Sequence, residues 1–169
     1  MVDPKLSVIL IAYNHGPYIR KALEGIFMQE TDFPFEVIVG EDCSTDNTRD
    51  IIREFDEKYP GRMRLLFREK NLGRPTLNVY DTSMMAEGEY LAYLEGDDYW
   101  TDPNNLQKQV SFLEEHPDYM GTNCSFELIG ENDERLGPRF PDMSEAFSND
   151  LRKTAELSAW RLGLSFRTG

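Results

Sequence analysis

No apolar run among the 169 residues approaches the roughly 20 needed to cross a bilayer as a helix. The N-terminus has neither the basic flank nor the apolar core of a secretory signal. Cysteine is scarce. Cys43 and Cys124 are the only two, far apart and without metal-ligand spacing, a pattern that points to reduced thiols in a cytosolic protein rather than to a disulfide framework or a zinc site. Positive charge is also in deficit. Eighteen Lys and Arg face 31 Asp and Glu, a net charge of −13. A nucleic-acid binder needs a basic face to displace counterions from phosphates, so that class is excluded. Electrostatic docking on an anionic membrane surface is disfavoured for the same reason. Internal repeats and low-complexity tracts are missing too. The length suits one compact domain over residues 1–169, and an anionic ligand would need a cation to mediate its contact.

What is present alternates between two textures. "KLSVILIAY" (Lys5–Tyr13) is short, β-branched and nearly continuous, the signature of a strand buried on both faces. "FEVIVG", "MRLLF" and "EYLAYLE" repeat it more briefly. Between them lie helical patterns. Ile19, Ala22, Leu23, Ile26 and Phe27 form one apolar stripe, with Pro17 expected in the first turn. Thr48, Ile51, Ile52, Phe55 and Tyr59 form a second stripe, closed by Pro60-Gly61. A weaker helical pattern runs from Thr76 to Ala86, and a clear one from Asp102-Pro103 aligns Leu106, Val110 and Leu113. The rhythm β-α-β-α-β-α-β-α predicts an α/β fold, a mostly parallel sheet with helices on both faces. After Tyr119 the reading is a strand, a polar turn and a second strand, a small antiparallel extension. A helix over Asn149–Leu162 is expected last.

In open α/β sheets, ligands bind outside the carboxyl ends of the strands. Here those ends read "AYNH", "GEDCSTD", "REKNLGRP" and "EGDDYW". Two acidic pairs, Glu41-Asp42 and Asp97-Asp98, would face one crevice, with Glu95 close by. Unpaired carboxylates at short range raise one another's pKa and cost stability. A hard divalent cation, Mg or Mn, removes that cost, and it usually takes one or two carboxylates and completes its shell with phosphate and water. The sheet edge therefore reads as a site for a metal-bridged phosphate ligand.

"LSVILIAYN", "FEVIVGEDCSTDNT" and "GEYLAYLEGDDYW", in that order from about Lys5 to Pro117, resemble the family 2 glycosyltransferases, inverting enzymes of the GT-A, Rossmann-like fold. The resemblance implies that residues 1–117 are the nucleotide-binding half and 118–169 the start of an acceptor-side half. Ala12, Tyr13 and Asn14 would line the base pocket, although Tyr13 also fits a core position at a strand end. Asp42 would accept a hydrogen bond from the base, commonly uracil. Glu41 replaces a more usual Asp, and either shifts its contact or caps the next helix. Asn71, Gly73 and Arg74 correspond to a loop beside the nucleotide, where Arg74 either neutralises phosphate or is a plain surface residue. Asp97 would approach the ribose or the metal, Asp98 would ligate the metal, and Glu95 would support them. Cys43 stands where Gly is common. Tyr99 and Trp100 read as packing residues, His15 and His116 as bystanders.

The implied reaction moves a sugar from a nucleoside diphosphate, UDP foremost, to a glycan or lipid-linked hydroxyl at the cytoplasmic face. A divalent cation would stabilise the departing diphosphate and a carboxylate base would deprotonate the acceptor. By resemblance that base lies in the later half, so a shortened chain able only to bind the donor is the alternative. Asp142, Glu145 and Asp150 stand in an irregular stretch, and none is nominated. A phosphoacceptor receiver would need an Asp ending the third strand and a Lys ending the fifth, and both are missing. A nucleotidyltransferase would need a Gly-rich basic loop after the first strand, where "AYNHGPYI" has one glycine.

Overall fold

A computed structural model describes residues 3–130, 132–139 and 165–167. Chain order is β1 (Leu6–Ala12), α1 (Ile19–Phe27), β2 (Phe35–Glu41), α2 (Thr48–Lys58), β3 (Met63–Phe67), α3 (Pro75–Ser83), β4 (Tyr90–Glu95), α4 (Asn105–Glu115), β5 (Gly121–Thr122) and β6 (Ser165–Arg167). The strands form one sheet in the order β3-β2-β1-β4-β6-β5. β1 to β4 are mutually parallel, β6 runs antiparallel to β4, and β5 pairs antiparallel with β6. The α/β class, the parallel sheet and the antiparallel extension are as the sequence predicts.

Alternation along each strand sorts the core into two faces. Leu6, Val8, Leu10 and Ala12 of β1 join Val37 and Val39 of β2 and Tyr90, Ala92 and Leu94 of β4 in one buried cluster. Ile19, Leu23 and Ile26 of α1, Ile52 and Phe55 of α2, and Leu106, Val110 and Leu113 of α4 complete it. Burying each such aliphatic side chain is worth roughly 1.5–3 kcal/mol. Phe27 and Tyr59 stack with ring centroids 3.9 Å apart, clamping α1 to the end of α2. Ile9 and Ile38, fully buried but outside this cluster, point to the other face, where α3 packs on β1 and β2.

Helix boundaries differ from expectation in ways the local bonding explains. Pro17 lies in a turn before α1 rather than in its first turn, because the His15 carbonyl accepts from the N–H groups of both Tyr18 and Ile19. α3 starts at Pro75 and inverts the usual pattern: Asn78 and Thr82 are buried, while Leu77, Tyr80 and Met84 are exposed. The strand-turn-strand expected after Tyr119 shrinks to the two residues of β5 and a tight turn. That turn is closed by an Ile129–Arg135 bridge, with Asp133 at φ 61°. β6, which carries the Phe166-Arg167 step, inserts between β4 and β5. The predicted helix over Asn149–Leu162 and the acids Asp142, Glu145 and Asp150 lie outside the described residues.

Candidate functional site

Strand register gathers the site. Ala12 pairs with Glu41, Glu41 with Phe67, and Ile11 with both Gly40 and Glu95. All four parallel strands therefore deliver their carboxyl ends to one edge. β2 lies on one side of β1 and β4 on the other, so the connections from β1 and into β4 diverge there. That divergence opens the crevice where α/β sheets hold ligands.

At the end of β1, Ala12 is buried and its carbonyl accepts from the Asp42 N–H at 2.9 Å. Tyr13 is 43% exposed, so it is not a core tyrosine. Asn14 adopts φ 55°, a left-handed conformation that Asn tolerates better than most residues. Its Oδ1 accepts from the Thr45 N–H at 2.8 Å, and its own N–H donates to Ser44 Oγ at 2.9 Å. Asn14 thus ties the β1 loop to the β2 loop.

Glu41 corrects the expectation of two acidic pairs facing the crevice. It is fully buried, with Oε1 accepting from the Ser44 N–H at 2.6 Å and Oε2 from Arg49 Nε at 2.6 Å. Arg49 also donates to the Arg68 carbonyl at 2.9 Å and lies 4.8 Å from the Phe67 ring centroid. A buried carboxylate needs such a partner, and with both oxygens bonded Glu41 presents nothing to a ligand. Asp42, 5% exposed, accepts on Oδ1 from the Leu72 N–H at 2.9 Å, and among the described residues that is its one side-chain hydrogen bond. Its carbonyl accepts from Asn71 Nδ2 at 3.1 Å. Asn71 Oδ1 in turn accepts from the Gly73 N–H at 2.6 Å, with Gly73 at φ 64°. Asn71 and Gly73 therefore shape the loop and lock it to Asp42. Arg74 is exposed and precedes α3. Cys43, at φ 60°, occupies a left-handed position, which explains why glycine suits it.

Asp97 and Asp98 are exposed on a turn closed by the Asp98 N–H donating to the Glu95 carbonyl at 3.1 Å. Close approach fixes this turn. A Cβ on Gly96 would stand 2.7 Å from His15 Nδ1 and 2.9 Å from Ile19 Cδ1, and one on Gly25 would stand 2.8 Å from the Trp100 carbonyl oxygen. Trp100 is buried, and Tyr99 lies beneath the Lys21 ammonium at 5.6 Å; both pack the turn. His116 ends α4 and packs on Phe112. Beyond Asp97 and Asp98 opens a cavity of about 330 Å³, bordered also by Trp100, Asn105, Cys124 and Arg139.

Among the described residues no three His, Cys, Asp or Glu side chains converge into a metal-binding cluster. The donor set is Asp97 and Asp98, two exposed hard-oxygen groups. It fits Mg or Mn held largely by phosphate and water, and it does not fit a closed all-protein cage. Arg49 and Asp46 were missed from sequence. Asp46 Oδ2 accepts from the Gly16 N–H at 2.8 Å and Oδ1 from Thr48 Oγ1 at 2.5 Å. The "STD" helix start was the available signal for Asp46, whereas nothing local marked Arg49.

A mostly parallel α/β sheet with this switch point and a small antiparallel extension is of GT-A type. The chain belongs to glycosyl transferase family 2, whose family model matches residues 7–168. A protein of Mycobacterium tuberculosis is 49% identical over 113 residues, 67% of this chain and 32% of that protein. Staphylococcus aureus TarS, a poly(ribitol-phosphate) β-N-acetylglucosaminyltransferase, is 36% identical over 115 residues, 66% of this chain and 19% of TarS. The structure of TarS 1–349 in complex with UDP-GlcNAc aligns with a TM-score of 0.58, covering 67% of this chain and 32% of that one. The mannosyltransferase PcManGT of Pyrobaculum calidifontis, in complex with GDP-Man and Mn2+, aligns with a TM-score of 0.64 at 26% identity, covering 77% of this chain and 37% of that one. The chain thus spans about a third of the length of the mycobacterial relative.

Proposed function

We propose that this chain binds a nucleoside diphosphate sugar, UDP-linked, at the carboxyl edge of its sheet, as the donor half of a metal-dependent inverting glycosyltransferase. The observation that carries the reading is the register that sets Asp42 and the Asp97-Asp98 turn on opposite sides of the β1 switch point. Asp42, held through Oδ1 by the Leu72 N–H, accepts the imino N–H of uracil on Oδ2, a contact an apolar slot would leave unmade. Ala12 and the exposed Tyr13 ring border the base, and Asn14, Asn71 and Gly73 hold the two loops that flank it. Glu41 acts at one remove, as the positioning residue of the β2 loop. Arg74 stands free to meet phosphate.

Asp98, with Asp97 beside it, would hold Mn or Mg on the diphosphate. Such an ion, when bound, stabilises the negative charge that develops on the leaving group. In the transfer, the acceptor hydroxyl oxygen bonds to the anomeric carbon as the bond to diphosphate oxygen breaks, and the proton passes to a carboxylate base. No described residue is assigned that role, so donor binding is the function proposed for the described part. The acceptor is proposed to be a glycan or lipid-linked hydroxyl at the cytoplasmic face. The poly(ribitol-phosphate) in the name of TarS supports a polymeric acceptor, here proposed to be an envelope glycan. No described helix is long and apolar enough to cross a membrane.

Calorimetry with UDP, with and without Mn2+, tests the reading. Binding should require the metal and fall at least about tenfold in Asp98→Ala, the order of one lost charge-assisted contact. Equal affinity with and without Mn2+, or an unaltered Asp98→Ala, would remove the metal-bridged site.

A further inference from the structure

The cavity beyond Asp97 and Asp98 is lined largely by polar and charged side chains, and their charges sort by partner. Asp102 Oδ2 accepts from Lys108 Nζ at 2.6 Å, and Glu127 Oε2 pairs with Arg135 Nη2 at 2.7 Å. Neither Lys108 nor Arg135 borders the cavity, so both of these wall carboxylates are balanced from outside it. Asp97 and Asp98 carry the charge that the proposed cation would balance. That leaves Arg139, the one basic side chain among the described residues bordering the cavity.

Arg139 is both held and reachable. Its Nε donates to Glu127 Oε1 at 3.0 Å, which ties the guanidinium to a carboxylate that is itself 22% exposed. The Arg139 side chain is 62% exposed, and its Nη groups have no partner among the described residues. Arg139 pairs with neither Asp97 nor Asp98, although all three border the same cavity. The group that meets Arg139 therefore lies across the cavity from the metal turn, on the saccharide side of a bound donor. A guanidinium with free Nη groups matches the paired oxygens of a carboxylate or phosphate in a bidentate contact. A neutral hydroxyl offers one oxygen and leaves the charge unmatched.

We propose that Arg139 is a specificity residue for an acidic saccharide substrate, its Nη groups taking a carboxylate or phosphate carried by the sugar in the cavity while Glu127 fixes the fork. The inference rests on the donor-site reading above. The anionic group belongs either to the donor sugar, as in a uronic acid, or to the acceptor, and the two sources separate in experiment.

For the donor, calorimetry of the whole chain with Mn2+ compares UDP, UDP-glucose and UDP-glucuronate. A donor-borne anion should make UDP-glucuronate bind about tenfold more tightly than UDP-glucose, the scale of one charge-assisted contact. For the acceptor, NMR titration of the chain loaded with UDP and Mg2+ compares glucuronate and glycerol 3-phosphate with glucose. An acceptor-borne anion should give saturable shifts around Arg139 that glucose does not. Whichever preference appears should vanish in Arg139→Gln and survive in part in Arg139→Lys, which keeps the charge without the fork. UDP affinity should stay unchanged in both variants. The proposal is overturned if neither arm discriminates, if the preference survives Arg139→Gln, or if UDP affinity falls in step, which would give Arg139 to the diphosphate. UDP binding without discrimination in either arm would leave the donor site standing and remove only the role of Arg139. Failure of UDP itself to bind would remove both.

Discussion

Removing Arg49 would leave Glu41 as an uncompensated carboxylate in a site with no exposure of its own. Breaking a buried pair from one side typically costs 3–5 kcal/mol, far more than the pair contributes relative to apolar isosteres. Because Arg49 keeps 27% of its side chain exposed, Arg49→Met should sit near the lower end, about 3 kcal/mol, read from chemical denaturation. Asp46 carries a pH signature. Burial works to raise its carboxyl, but the bonds from the Thr48 hydroxyl and N–H and from the Gly16 N–H outweigh it, and the pKa lies below the ordinary carboxylate value. A lowered folded-state pKa means stability present above the unfolded value and lost as pH falls through the folded one. Asp46→Asn should therefore be less stable than wild type at neutral pH, and the two denaturation curves should converge in acid. Such roles were only partly legible. "GED" announces an acidic strand end, but whether each acid faces a ligand or a buried arginine depends on a helix that folds back from eight residues away.

Elements carry the site by close approach. Gly96 leaves room for His15 and Ile19, and the Asp97-Asp98 turn follows directly. An alanine there must push aside the His15 and Ile19 side chains or shift the turn itself. Overpacking of this kind costs about 1–3 kcal/mol, and here it falls on the geometry of the two acids. Gly96→Ala should lower Mn2+-dependent UDP affinity by an order of magnitude or more in calorimetry while the protein stays folded. The strands and three of the helices were legible because each buries one apolar stripe or run. α3 read weakly for a physical reason. Its inner face satisfies the Gly40 carbonyl through Asn78 Nδ2 at 2.8 Å, so polar residues lie inside and Leu77, Tyr80 and Met84 lie outside. After Tyr119 the sequence promised more strand than forms, since ladder pairing stops after the two residues of β5 and the turn that follows is closed by a single bridge.

Across the whole molecule, a net charge of −13 disfavours a bare nucleotide diphosphate, and the cation proposed for the strand-end crevice would offset that repulsion. The order of motifs along the chain made the parallel sheet and its acidic edge readable. The place of β6 between β4 and β5 was not readable, since pairing between segments some 70 residues apart leaves no local pattern. The central claim is that a divalent cation and a nucleoside diphosphate meet at the Asp97-Asp98 turn. Paramagnetic broadening of amide NMR signals by Mn2+ locates that meeting directly. With UDP present, substoichiometric Mn2+ should selectively broaden Asp97, Asp98 and the neighbouring ends of β1 and β2, and Asp98→Ala should abolish the effect. Broadening spread over the acidic surface, or unchanged when UDP is left out, would contradict the account.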